Sequence, residues 1–145
     1  MATVVLGKDC KLYIGTAGTI AATLVDNVID VRLGLEKDDA DASARSSGGW
    51  QEFVGTTKKA EISFEMLYKP ADTNFATLRN AFLNDTDISM LVMDGLKATT
   101  GKQGLDCDVV ITKFEITQPL KEGTKVSVTA KPTPSTRAPA WYTAP

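Results

Sequence analysis

Residues 28–68 read VIDVRLGLEKDDADASARSSGGWQEFVGTTKKAEISFEMLY, and both ends of this stretch alternate with a period of two. Ile29, Val31, Leu33 and Leu35 fall on one face, with Asp30, Arg32, Gly34 and Glu36 on the other. On the return, Ile62, Phe64 and Met66 alternate with Glu61, Ser63 and Glu65. Successive strand side chains point to opposite faces of a sheet, so each end predicts a half-buried strand. Between them, from Lys37 to about Thr57, lies a polar arm rich in Asp, Ser and Gly, whose only aromatics are Trp50 and Phe53. The pattern predicts a long hairpin whose tip projects from the body. So long a connection in a compact domain points to function or disorder, and this one is a candidate contact arm between copies of the chain.

The rest of the chain supplies a body for that hairpin. With 145 residues, 43% of them hydrophobic and 23% charged, the expectation is a single domain over 1–145 with a real core. A formal net charge of −2 carries no basic footprint for gripping nucleic acid. No apolar run approaches the length of a membrane helix, so no membrane anchor is expected. The start, MATVVLGKDC, lacks a basic region followed by an apolar core, which makes the cytosol the default compartment. There, Cys10 and Cys107 are expected as free, at least half-buried thiols on strands, with a disulfide as the lesser alternative.

In chain order, residues 1–9 suggest an arm or edge strand, Cys10–Ile14 a strand, GTAG at 15–18 a turn, and 19–24 a weaker strand. Lys69-Pro70 ends the second hairpin strand, since proline lacks the N–H that a ladder needs. Phe75, Leu78 and Phe82 then recur at helical spacing, predicting one helix over about 72–84, capped by Asp72 or Thr73 and closed at Asn84-Asp85. Asp87–Met93 reads as a buried strand and 96–104 as a mobile loop. Leu105–Ile116 reads as a long strand with Val110, Thr112, Phe114 and Ile116 on one face. Thr124–Lys131 reads as a last strand with Val126, Val128 and Ala130 inward. The tail, about 132–145, is proline-rich and expected to run extended. Trp141 and Tyr142 are costly to leave in water, so the tail is expected to dock on its own domain or a neighbour's. Strands around one helix give the predicted class: mainly β, a sandwich or barrel with one packed helix and a projecting hairpin.

Chemistry is scarce. There is no histidine to act as a general base. Ser43, Ser46 and Ser47 sit in the arm without a base partner, so no hydrolase triad is supported. GTAGT lacks the lysine and helix of a phosphate loop. Glu36, Asp38, Asp39 and Asp41 form an acidic run without the bend glycine and terminal glutamate of a calcium loop, and read as a solvated face. Two cysteines without histidine do not make a zinc site. No catalytic residue, cofactor or metal is expected, and the chain reads as a non-enzyme.

Three segments together carry a resemblance: LGKDCKLYIGTAGT, the stretch from VIDVRLGLEKDDADASAR to GGWQEFVGTTKKAEISFEM, and GLDCDVVITKFEITQPLKEGTKVSVTAKPT with APAW beyond it. In these segments, and in the order of strand, arm, strand, helix and strands, nearly the whole chain resembles the major tail tube proteins of long-tailed bacteriophages and prophages. The resemblance implies a virion protein whose copies close into hexameric rings and stack into a hollow tube, with genome DNA passing through it. It implies as partners further copies of itself, a tape-measure protein, baseplate or tail-tip proteins and a tail terminator. Arm residues Lys37, Asp38, Asp39, Asp41, Arg45, Trp50 and Phe53 would then make ring-to-ring contacts. Asp30, Arg32, Glu36, Glu61, Ser63 and Glu65 would line the lumen, an acidic lining that repels phosphate. For Trp50 and Phe53 the alternative is to cover the arm's own base. Two other readings remain: the inner tube of a contractile tail or injection device, and a monomeric β-sandwich binding module showing a cluster of exposed aromatics.

Overall fold

The computed structural model describes residues 4–45, 48–133 and 137–145; Ser46 and Ser47 of the arm, and part of the proline-rich tail, lie outside them. Eight strands follow in order: β1 (Lys11–Thr16), β2 (Thr23–Leu24), β3 (Val28–Asp41), β4 (Phe53–Leu67), β5 (Ile88–Met93), β6 (Gln103–Thr117), β7 (Lys125–Pro132) and β8 (Ala140–Thr143). They form one antiparallel sheet ordered β2-β1-β5-β6-β7-β4-β3, with β8 also on β6. One α-helix, α1 (Thr73–Leu83), lies between β4 and β5 in the chain. The mainly β class with a single α-helix among the described residues is the one the periodicity predicts.

β6 holds the two halves together. Its first half, Gly104–Val109, pairs with β5, and its second half, from Val109 to Thr117, pairs with β7. β8 continues along β6 where β7 leaves off, setting Leu105 against Trp141 and Gly104 against Tyr142. Between Ile111 and Lys113 the register shifts, with Thr112 as the extra residue. Such a bulge bends a strand and reverses which face later residues occupy. The face expected from the sequence is corrected accordingly. Leu105, Cys107, Val109 and Ile111 are buried ahead of the bulge, and Phe114 packs on the same core beyond it. Val110, half-buried, and the exposed Thr112 do not share that inward face, whereas Ile116 does share the face of Phe114, opposite Val126, but is exposed near the strand's end.

A second bulge does the same at the start of β3. Val28 pairs with Met66 and Asp30 with Glu65, leaving Ile29 unpaired and exposed. Val28, not Ile29, packs on the core, and Leu33 joins it. The inward set of β4 is Ile62, Phe64 and Met66, as its alternation predicts, and that of β7 is Val126, Val128 and Ala130.

The helix forms where its spacing says. Asp72 caps it by accepting the N–H of Asn74 at 3.2 Å. At the other end Asp85 takes φ 54°, and the Thr86 N–H reaches the Ala81 carbonyl at 3.0 Å. That left-handed residue closes the last turn as glycine usually does. Phe75, Leu78 and Ala81 are buried, whereas Phe82 is 37% exposed, so the inward stripe ends on alanine. Phe82 instead stacks on Phe114, ring centroids 6.1 Å apart.

Other expectations change. Residues 7–9 form a short 3-10 turn, not an edge strand. Cys10 is exposed and off the strands, Cys107 is buried, and both thiols are free. Lys97 is anchored, its Nζ donating to the Ala21 carbonyl and its N–H to the Tyr13 hydroxyl. Gly104 sits where any side chain would collide with the Val92 carbonyl, so that strand crossing requires glycine.

Candidate assembly surface

The hairpin outruns the body. β7 pairs with β4 only from Ile62 to Leu67, while β3 stays paired with β4 from Val28 out to Asp41 opposite Phe53. The predicted arm is therefore strand at 37–41 and 53–57, with an irregular tip whose described residues are 42–45 and 48–52. That tip is tied at its base: the Ala42 N–H donates to the Glu52 carbonyl, and the Glu52 N–H to Ser43 Oγ, both at 2.8 Å. Asp41 Oδ1 accepts the Ser43 N–H at 2.8 Å. The Ser43 hydroxyl, then this N–H, hold the Asp41 carboxyl below its ordinary value. Gly48 and Gly49 take positive φ at the turn itself.

Large apolar groups stand in water along this arm. Trp50 is 78% exposed, and Phe53, Val54 and Leu35 are each more than half exposed. In this chain Trp50 and Phe53 do not cover the arm's base. Lys37, Asp38, Asp39, Asp41 and Arg45 are exposed beside them, and Asp38 pairs with Lys59 at 3.2 Å.

On the face opposite the core, Asp30, Arg32, Glu36, Glu61, Ser63 and Glu65 do fall together. The register sets Asp30 beside Glu65, Arg32 beside Ser63 and Glu36 beside Lys59. β7 and β6 extend these rows: Glu65 faces Ser127, which faces Glu115, and Ser63 faces Thr129, which faces Lys113. Lys59, Lys113 and Lys131 therefore share the face with the carboxylates, and a groove of about 600 Å³ opens among Arg32, Glu36, Glu61 and Lys131. The net acidic face expected from the sequence is corrected to a nearly balanced one, because two of its rows are completed by β6 and β7.

Backbone groups are left over at its two ends. Among the described residues nothing pairs with the outer edge of β3. β5 leaves β6 at Val109, so Thr112–Thr117 are unpaired on that side as well. Unpaired edges are templates for another strand.

The tail is fixed to its own sheet. Trp141 Nε1 donates to Gln103 Oε1 at 2.7 Å, and Tyr142 packs with Tyr13, Leu91 and Met93. Ahead of it, Arg137 forms a fork onto two buried carboxylates, with Nη1 to Asp106 and Nη2 to Asp108 both at 2.7 Å. Asp108 also accepts the Gly18 N–H. The hydrogen bonds to Asp108 and then Asp106 hold the guanidinium firmly charged. Burial, then these two carboxylates, push the Cys107 thiol up to about 11. Sequence reading missed this cluster, although its signal was present: two aspartates two apart on one face of an otherwise apolar strand require a cation.

Among the described residues no helix is long and apolar enough to cross a membrane. The continuous antiparallel sheet, single flanking helix and overrunning hairpin define the tail-tube fold. The chain is similar over 94% of its length, and 98% of the other, to a chain in the tail of an empty gene transfer agent (GTA) particle of C6 symmetry, with TM-score 0.70 and 21% identity. It is similar to a chain of the SPP1 tail tube with TM-score 0.70 at 13% identity, covering 88% of this chain and 75% of that one. Similarity also extends to a chain in the six-fold symmetrised baseplate of the anti-feeding prophage, with TM-score 0.62, 5% identity and 99% of both chains covered. No family model matches the sequence, and no curated relative matches it.

Proposed function

We propose that this protein is a structural virion protein, not an enzyme, whose copies join into six-membered rings that stack into a phage-type tail tube. The observation that carries this reading is the pair of free edges on either side of a four-stranded, polar-faced section, β6-β7-β4-β3. An isologous pairing of β3 with another β3 would stop at a dimer, whereas β3 against the β6 edge of the next copy is heterologous and closes into a ring. The strand directions agree, because β6, β7, β4 and β3 alternate and the next β6 continues the alternation. Closure places the polar face around a lumen through which DNA passes without sequence-specific contact. The arm leaves the ring plane, and Trp50 and Phe53, exposed in the single chain, are its anchors on the next ring; large aromatics concentrate interface energy. Tape-measure, tail-tip and terminator proteins would act on the ends of such a tube.

A second reading keeps the architecture and changes the machine. The likeness to a chain of the anti-feeding prophage baseplate favours an inner tube of a contractile or injection device. A sheath protein encoded beside this chain would distinguish it.

The test is deletion of Asp38–Gly49. The shortened protein should keep a cooperative unfolding transition, because β4 retains β7 and the core, yet form no long tubes. Long tubes from the shortened protein would overturn the arm's role.

A further inference from the structure

The charges on the polar face say how the seam between copies is set. Within one copy the rows are flush, and each gathers one sign. Asp30 shares a row with Glu65 and Glu115, while Arg32 shares the next with Lys113. Among the described residues the ion pair Lys113–Glu115, at 3.2 Å along β6, bridges the two rows. All of these side chains except Glu65 are exposed, and Glu65 is half-buried, so their preferences are open to a neighbour.

Suppose β3 of one copy meets the free β6 edge of the next with the rows continued flush. Asp30 then faces Glu115 and Arg32 faces Lys113, two like-charge pairs directly opposite one another. Such pairs destabilise a sheet, while opposite charges in the same positions stabilise it. Six identical seams repeat the penalty six times. A slip of one residue is not available, because it would turn the apolar set of β3 to the polar face. A slip of two keeps the faces and changes the pairs. It can set Arg32 against Glu115, Gly34 against Lys113 and Asp30 against Thr117, which leaves one attractive pair and no repulsive one. The opposite slip pairs Asp30 with Lys113 but takes Arg32 past the Thr112 bulge, where no carboxylate waits. Closed barrels also need staggered strands, so an offset at each seam serves closure as well.

We infer that the charged rows exclude the flush seam and select the one in which Arg32 faces Glu115 of the next copy, the register being displaced by two residues. This rests on the ring reading proposed above, and adds to it a pair that determines specificity.

Disulfide trapping during assembly tests it, in a Cys10→Ser background so that the exposed native thiol is removed. Directly opposed residues lie within the roughly 4.4–6.8 Å Cα separation that a disulfide spans, whereas residues one row off lie at about 7–8 Å. Three pairs that keep Asp30, Arg32, Lys113 and Glu115 in place are compared: Val31→Cys with Ile116→Cys, opposed in the inferred register, Val31→Cys with Phe114→Cys, opposed in the flush one, and Val31→Cys with Thr112→Cys, opposed in the opposite slip. The first should give a ladder of linked copies under mild oxidation, several-fold above the other two. A stronger ladder from either other pair overturns the register. Tubes without a ladder from any pair overturn the β3–β6 seam itself. Absence of both tubes and ladders, with a normal unfolding transition, removes the ring reading on which the inference rests. As an independent arm, Arg32→Glu or Glu115→Arg alone should abolish assembly and the two together restore it. Failure of the double exchange to restore it, with both proteins folded, also counts against the pair.

Discussion

The two ends of this sheet use the same two-residue alternation for opposite purposes. In β1, β5 and the first half of β6, both faces are covered: Leu12, Met90 and Cys107 lie in the main core, while Tyr13, Leu91 and Met93 lie in a second cluster behind them. In the outer hairpin neither face is covered, and Leu35, Phe53 and Val54 stand in solvent beside lysines and aspartates. The difference teaches that alternation specifies a strand and its faces, but what covers those faces depends on chain elsewhere. The first region is completed within the molecule. The second is left without cover in the single chain, and in the proposed tube another copy supplies it.

Mutations separate the two regions most sharply at single apolar residues. Met90→Ala, in the fully buried region, should lower unfolding free energy by about 2–5 kcal/mol. Leu35→Ala, in the exposed hairpin, should change the single chain by no more than about 0.5 kcal/mol. Denaturant titration of the dispersed protein checks both. Equal losses at the two sites would erase the contrast.

The Arg137 fork belongs to the covered region and tests how its polar part is held. Arg137→Ala strands Asp106 and Asp108 in the sheet, and removal of one partner of a buried pair costs about 3–5 kcal/mol. Partial exposure of Arg137 places the expectation near the lower figure. A loss below about 0.5 kcal/mol would mean that water reaches the carboxylates freely.

The cysteines give a smaller, pH-dependent contrast. Cys107 is raised from 9.0 to about 11. Between these values the unfolded chain has lost a proton that the folded one keeps, so stability is unaffected below pH 9.0 and declines as pH rises toward about 11. Cys107→Ala should remove that part of the decline, and only Cys10 should react with a thiol reagent in the folded protein at neutral pH. The smallest effect lies at the arm tip. Ser43→Ala should move the Asp41 titration upward toward the ordinary carboxylate value, read by NMR, without altering the body of the protein.

Much of the fold was legible because the strands that build the core are long enough to show their period, and because Phe75 and Leu78 break that period at helical spacing. The bulges at Ile29 and Thr112 were not, since an inserted residue leaves the composition unchanged and only reverses the parity beyond it. That one effect explains why Ile29 leaves the face of Val31 and Leu33, and why Val110 and Thr112 do not share the inward face of Phe114. β8 was hidden by the prolines before it, and the strand of four residues is too short to show alternation. The polar face was legible one strand pair at a time, which is why its carboxylates stood out. Lys113 and Lys131 reach the same face only through pairing with distant strands, so the charge balance followed from topology. The exposed aromatics of the arm were visible as residues, but their lack of any cover in the single chain required the structure.

The most direct test of the assembly account is negative-stain electron microscopy of the purified intact protein across a wide concentration range, with light scattering in parallel. Hollow tubes of uniform width, six-fold in end view, are the predicted result. A folded protein that stays monomeric at every concentration, with its β3 and β6 edges intact and with tail-tip proteins added to nucleate it, would contradict the account.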